Sequence, residues 1–195
     1  MVDDKKKEEI QKRVQHYLNE GILEKGNKEF VEFFLENAKK SLETAELLYE
    51  ISTKEEMQKN MHYPNFDGLL WVINASYYSM FYITRALLEN KGIKLKAEYS
   101  IHALTFDALL YYFYLTGKIQ KHFIDAYTEA KEEVRELLGK EKAQELIESY
   151  SAEKKKRGTF TYSLGAVVLQ GKAKTSLERA RYYNQTIRKM IQNEK

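Results

Sequence analysis

The stretch Leu69–Asn90, reading LLWVINASYYSMFYITRALLEN, constrains the fold more than any other part of the chain. Its apolar side chains fall on nearly every side of a helical wheel, so as a helix it must be surrounded by other elements. Such a helix would be roughly 33 Å long. Asn74, Ser76, Ser79, Thr84 and Arg85 interrupt it, and it therefore reads as a buried central rod and not as a membrane span. Lys91-Gly92 closes it, with glycine at the position where a helix end turns left-handed.

The rest of the sequence supplies the partners this rod needs. Over Phe30–Ile51 the apolar residues Val31, Phe34, Ala38, Leu42 (or Ser41), Ala45 and Leu48 recur every three or four positions, the stripe of a helix with one buried face. Ser100 caps a helix predicted over Ile101–Leu115, which ends at Thr116-Gly117. A fourth, Ile119–Leu138, carries Ile119, Phe123, Ala126, Ala130, Val134 and Leu137, and a short one follows over Lys140–Tyr150. The last runs over about 172–191 on Ala173, Leu177, Ala180, Tyr183, Ile187 and Met190. Residues 5–20 form a further, more weakly patterned helix.

Three segments break the periodicity: Thr53–Gly68, Gly92–Tyr99 and Lys154–Gly171. With a single proline and few alternating β-branched runs, no sheet is expected. The fold class is all-α: an antiparallel up-and-down bundle of four to six helices closed by its own stripes. Residues 1–26 read as an N-terminal helical arm and residues 27–195 as the bundle domain.

The chain has no cysteine, which removes disulfides, thiolate metal sites and thiol nucleophiles together and fits a cytoplasmic location. The charged start MVDDKKKEEI lacks the apolar core of a secretory signal, and no contact with a membrane is expected. The net charge of +3 hides an asymmetry: residues 151–195 hold 11 Lys and Arg against 3 acids, leaving a net −5 for the remainder. A basic C-terminal quarter on an acidic body suits phosphate-bearing partners, although a solvated lysine-rich surface would read the same way.

The segment SYYSMFYITRALLENKGIKLKAEYSIHAL (Ser76–Leu104) resembles the central stretch of small prokaryotic members of the HEPN superfamily (higher eukaryotes and prokaryotes nucleotide-binding domain). It shows the paired tyrosines Tyr77 and Tyr78, then Met80-Phe81, the run Arg85-Ala86-Leu87-Leu88, Gly92, and His102 near the next helix start. Upstream, FFLENAKKSLETAELLYE (Phe33–Glu50) is similar to the family's first helix, with Ala38 and Ala45 spaced as there. Downstream, Arg157–Tyr162 and Ala173–Ile191 resemble its basic loop and final helix. The resemblance spans about residues 30–192. It implies an all-α protein that forms a homodimer, binds nucleotide or RNA, and pairs with a small nucleotidyltransferase in a toxin–antitoxin-like arrangement.

Many members of that family are metal-independent ribonucleases that use an arginine followed, after four to six residues, by a histidine. Arginine neutralises the scissile phosphate and histidine relays a proton near neutral pH. Here none of His16, His62, His102 and His122 has an arginine at that spacing, and RGTFTY places Tyr162 where the histidine would stand. Tyrosine is a poor base at neutral pH but still donates a hydrogen bond to phosphate.

The residues expected to bind nucleotide or RNA are therefore Lys154, Lys155, Lys156, Arg157, Arg85 and Tyr78. Arg157, Tyr162 and His102 would carry any catalysis. The structural alternatives are an ion pair of Arg85 with Asp107 or Glu46, a packed His102, and tyrosine pairs (77/78, 111/112, 182/183) that line a core or dimer seam instead of stacking on bases. Scattered histidines give no metal site, and no cofactor is implied. Three functions follow: a nucleotide- or RNA-binding module, an unconventional metal-independent ribonuclease, and a non-catalytic interaction scaffold.

Overall fold

The computed structural model of the chain describes residues 4–96, 100–138 and 159–193. In chain order these form α1 (Asp4–Asn19), β1 (Leu23–Lys25), α2 (Val31–Thr53), α3 (Glu55–Asn60), α4 (Leu69–Asn90), β2 (Ile93–Leu95), α5 (Ile101–Leu109), a π-helix (Leu110–Tyr114), α6 (Lys121–Leu138) and α7 (Thr159–Gln192). The protein is an all-α helical bundle with one small two-stranded sheet, whose strands are separated in sequence by α2, α3 and α4. Among the described residues no helix is long and apolar enough to cross a membrane.

The chain divides into two compact units, one built from Met1–Lys40, Ser79–Tyr127 and Tyr182–Lys195, the other from Ser41–Tyr78 and Thr128–Arg181. In the first, Met80, Ile83, Leu87 and Leu88 of α4 are fully buried, as an all-round apolar helix requires. Tyr183 of α7 is buried against Tyr127 of α6, with ring centroids 6.0 Å apart, and Tyr127 stacks on Phe106 of α5 at 5.6 Å. Two of the polar groups inside are paired as burial demands: Asn184 Nδ2 donates to Ser79 Oγ at 3.1 Å, and Thr84 Oγ1 donates to the Met80 carbonyl at 2.8 Å. Ile10 and Val14 of α1 are also buried in this unit.

The second unit centres on Ala45 of α2, Leu69, Val72 and Ile73 of α4, and Ala173 and Leu177 of α7, with Val134 and Leu137 of α6 packed against them. Alanine on two of these helices leaves room for the larger side chains of α4. Beside this core, Glu133 of α6 takes hydrogen bonds from Ser176 Oγ (2.5 Å) and Arg179 Nη1 (2.8 Å) of α7.

Four features depart from the sequence reading. The expectation of no sheet is wrong: β1 and β2 pair antiparallel, with Leu23 opposite Leu95, Glu24 opposite Lys94 and Lys25 opposite Ile93. Three residues per strand are too few for a periodic signal. The strands meet where Gly92 adopts φ +68 at the end of α4 and its carbonyl accepts from the Gly26 amide at 2.9 Å. A β-carbon on Gly92 would lie 3.1 Å from the Gly26 oxygen. Next, α3 lies within the segment expected to be a loop. Third, α7 begins at Thr159 and not near 172, passing through Gly165 and Gly171. A helical glycine costs about 1 kcal/mol, and packing of Leu169, Ala173 and Leu177 in the second core outweighs it. Finally, the helix after Ser100 widens from α to π at Leu110, with Leu115 N bonded to Leu110 O at 2.9 Å. The short helix expected over 140–150 lies outside the described residues.

Candidate functional site

Of the residues expected to meet a ligand, Lys154, Lys155, Lys156 and Arg157 lie outside the described residues. Tyr162 falls within α7, but its side chain is outside the description. Tyr78 is half-buried in the second unit, its ring edge-on to Tyr77 with centroids 5.7 Å apart. Arg85 and His102 both belong to the first unit, and it is there that a site takes shape.

Arg85 sits on the last third of α4, half-buried, with its guanidinium carbon 4.5 Å from the centre of the Phe34 ring of α2. That geometry is a cation–π contact, which satisfies the flat face of the guanidinium while leaving its in-plane N–H donors for other partners. The ion pairs expected with Asp107 or Glu46 do not form. Asp107 is held by Arg13 and Tyr17 of α1, and Glu46 by Arg181 of α7. Among the described residues Arg85 has no ion-pair partner within bonding reach; its acidic neighbour is Glu89, one turn further along α4.

Burial pushes the Arg85 guanidinium below its ordinary pKa, and the attraction of Glu89, Tyr127 and Tyr82 opposes that shift. Glu89 is itself buried, and takes a long hydrogen bond from the Phe30 amide at 3.4 Å. The cation is thus partly stripped of water and only partly compensated. An incoming oxyanion would supply the missing in-plane acceptors.

His102, in the first turn of α5, lies against Phe81 of α4, with ring centroids 4.3 Å apart. Phe81 and Arg85 are four residues apart and so share one face of α4, with Cβ atoms about 5–6 Å apart. His102 of α5 therefore packs on the face of α4 that also carries Arg85. Sequence reasoning named both residues but missed what arranges them: Phe34 and Phe81, two aromatic rings that a periodicity argument assigns simply to the core. The spacing Phe81–Arg85–Glu89 was the available signal.

The tyrosine pairs divide. Tyr183 is buried while Tyr182 is exposed and stacked on Phe123 at 5.5 Å, whereas Tyr111 and Tyr112 meet edge-on at 4.9 Å, both half-buried. Among the described residues no three His, Asp or Glu side chains gather in a metal-binding group. In comparisons with protein-family models, curated proteins and solved structures, nothing matches this chain.

Proposed function

We propose that this chain is a HEPN-like module that binds nucleotide or RNA as a homodimer and acts with a small nucleotidyltransferase partner, in a toxin–antitoxin-like pair. The single observation behind the reading is Arg85, half-buried over Phe34 with no carboxylate in ion-pair contact among the described residues. A stacked arginine with spare in-plane donors suits a phosphate oxygen better than it suits a purely structural role. The basic run Lys154–Arg157 extends the same chemistry along the sequence.

The test is binding of a fluorescent single-stranded RNA at increasing salt. Each neutralised phosphate on a single strand contributes about −0.7 to the log–log slope, so three or four contacts give roughly −2 to −3. Arg85→Gln should weaken binding, and the pair Lys155→Ala and Arg157→Ala should make the slope shallower by about 1 to 1.5. Absence of salt-dependent binding to RNA or nucleotide in the wild-type protein ends this reading.

A second reading, a metal-independent ribonuclease, is favoured by the placement of His102 beside Phe81, one turn from Arg85. In it Arg85 or Arg157 would hold the phosphate and His102 or Tyr162 would handle the proton. Cleavage of RNA in the presence of a chelator, lost in His102→Gln, would select it over binding alone.

A further inference from the structure

The first unit holds a cavity of about 270 Å³ that belongs neither to the Arg85 site nor to the basic run. Its floor is apolar: Leu18 from the end of α1, Leu23 and Ile93 from the two strands, and Phe113 from the π-helix. Its mouth is cationic. Lys25, Lys91 and Lys118 line it, all three exposed. The strand register explains how one of these cations arrives there: Lys25 stands opposite Ile93 and two residues from Leu23, so all three share one face of the two-stranded sheet. The π-helix explains another part. It holds Phe113, and the helix then ends at Gly117 (φ +72), where Phe113 O accepts from Lys118 N at 2.8 Å and the Lys118 ammonium lies 6.0 Å from the Phe113 ring. Wide π-turns recur at functional sites because they present side chains that a regular helix would turn away.

One acid, Glu24, also lines the cavity, but Lys96 lies 3.4 Å from its carboxylate. Tyr112 completes the lining; burial, and then the neighbouring Tyr111, push its pKa up, so its hydroxyl remains a donor at neutral pH. An apolar floor under three ammonium groups and a phenol selects for both ends of a ligand at once. The volume lies just below the roughly 300–1,000 Å³ of sites for drug-sized molecules, so the occupant is of fragment size.

We propose that this cavity binds a small amphipathic anion: one apolar ring or short chain on the Leu18–Leu23–Ile93–Phe113 floor, and a carboxylate or phosphate head against Lys25, Lys91 and Lys118. The site stands independently of the proposed nucleic-acid function. It is a second, small-molecule site through which a metabolite would stabilise the strand pair and the π-helix together.

The probes are phenyl phosphate, benzoate, inorganic phosphate and benzyl alcohol, titrated into the full chain and followed by amide chemical shifts. Phenyl phosphate or benzoate should bind saturably with Kd on the order of a millimolar, shifting amides of residues 18–25, 91–93 and 112–118. Tighter phenyl phosphate identifies a phosphate-bearing ligand, and equal or tighter benzoate a carboxylate. Inorganic phosphate and benzyl alcohol should each bind several-fold more weakly, since each lacks one half of the ligand. Replacing Lys25 and Lys118 together with Ala should weaken the aryl anions roughly fivefold at unchanged melting temperature, both lysines being exposed. The proposal is overturned if neither aryl anion saturates by about 20 mM, if benzyl alcohol matches them, or if the double variant binds them as well as wild type.

Discussion

Arg13 and Asp107, 94 residues apart in sequence, are joined by two parallel hydrogen bonds, Nε to Oδ2 at 2.9 Å and Nη2 to Oδ1 at 2.8 Å. The Tyr17 hydroxyl adds a third to Oδ2 at 3.1 Å, so two side chains of α1 converge on one carboxylate of α5. The side chain of Asp107 is 10% exposed and that of Arg13 47%. Removing each partner should therefore cost differently. Arg13→Ala leaves a nearly buried carboxylate with one neutral donor, and should cost about 1.5–3 kcal/mol, discounted from a fully buried pair because solvent reaches the arginine. Asp107→Asn keeps the shape and an acceptor and should cost about 1–2 kcal/mol. Urea denaturation measures both, and a loss below about 0.5 kcal/mol for Arg13→Ala would show that the pair is ornamental.

A second contrast lies between two carboxylates of the other unit. Glu133 is largely covered and takes hydrogen bonds from Ser176 and Arg179, whose own side chain is 13% exposed. Glu46 meets Arg181 at 2.7 Å, but both side chains are well exposed, at 38% and 52%. Glu133→Ala should cost about 1–2 kcal/mol, because it leaves the covered Arg179 guanidinium with only the exposed Glu129 carboxylate at 3.2 Å. Glu46→Ala should stay within about 0.5 kcal/mol of wild type despite the shorter-looking bridge. Equal losses in thermal melts would contradict this ranking.

Alkaline stability should report on Tyr183. Burial pushes its pKa well above that of a free tyrosine, and its hydroxyl lies 2.9 Å from Thr84 Oγ1. Above about pH 10 the unfolded chain loses this proton while the folded chain keeps it. The unfolded state then binds fewer protons, so stability falls as pH rises from there toward the folded pKa and is fully present below it. Tyr183 alone contributes up to about 1.4 kcal/mol per pH unit of that decline. Tyr183→Phe should lose about 1 kcal/mol at pH 8 with the hydrogen bond, yet decline less steeply than wild type above pH 10. Parallel curves for the two proteins between about pH 10 and 11 would refute the assignment.

Two glycines with nearly the same backbone angle separate conformational strain from crowding. Gly92 and Gly117 have φ +68 and +72, but a β-carbon would meet the Gly26 oxygen at 3.1 Å from the first and nothing within 4 Å from the second. Gly117→Ala should cost about 1 kcal/mol, the left-handed penalty alone. Gly92→Ala should exceed it by roughly 1 kcal/mol, because the backbone at Gly26 must move. Calorimetry on both variants decides, and equal losses would mean that the strand pair yields freely.

The helices were legible where burial is one-sided or complete. The sequence reading placed the central rod at Leu69–Asn90, where α4 lies, and the stripe through Val31, Phe34, Ala38 and Ala45 is the buried face of α2. What stayed hidden depends on pairing across long stretches of chain. The partner of Asp107 is not Arg85 but Arg13, which no local pattern connects to it. On α6 the periodicity pointed to Ala126, while the larger Tyr127 is the side chain turned fully inward to meet Phe106 and Tyr183. Arg85 was picked out correctly as an anomaly in an apolar helix, but its setting is aromatic, and charge counting looks only for acids.

The π-helix at Leu110–Tyr114 amounts to one surplus residue spliced into an otherwise ordinary turn. Deleting a single residue there would let the segment relax into α-helix, and every later side chain of that turn would swing by about 100° around the axis. Phe113, now fully buried, and Lys118, now at the rim of the cavity, would change places with their neighbours. Length at this point of the chain is thus as informative as chemistry, and a shortened relative would be expected to have lost the cavity while keeping the bundle.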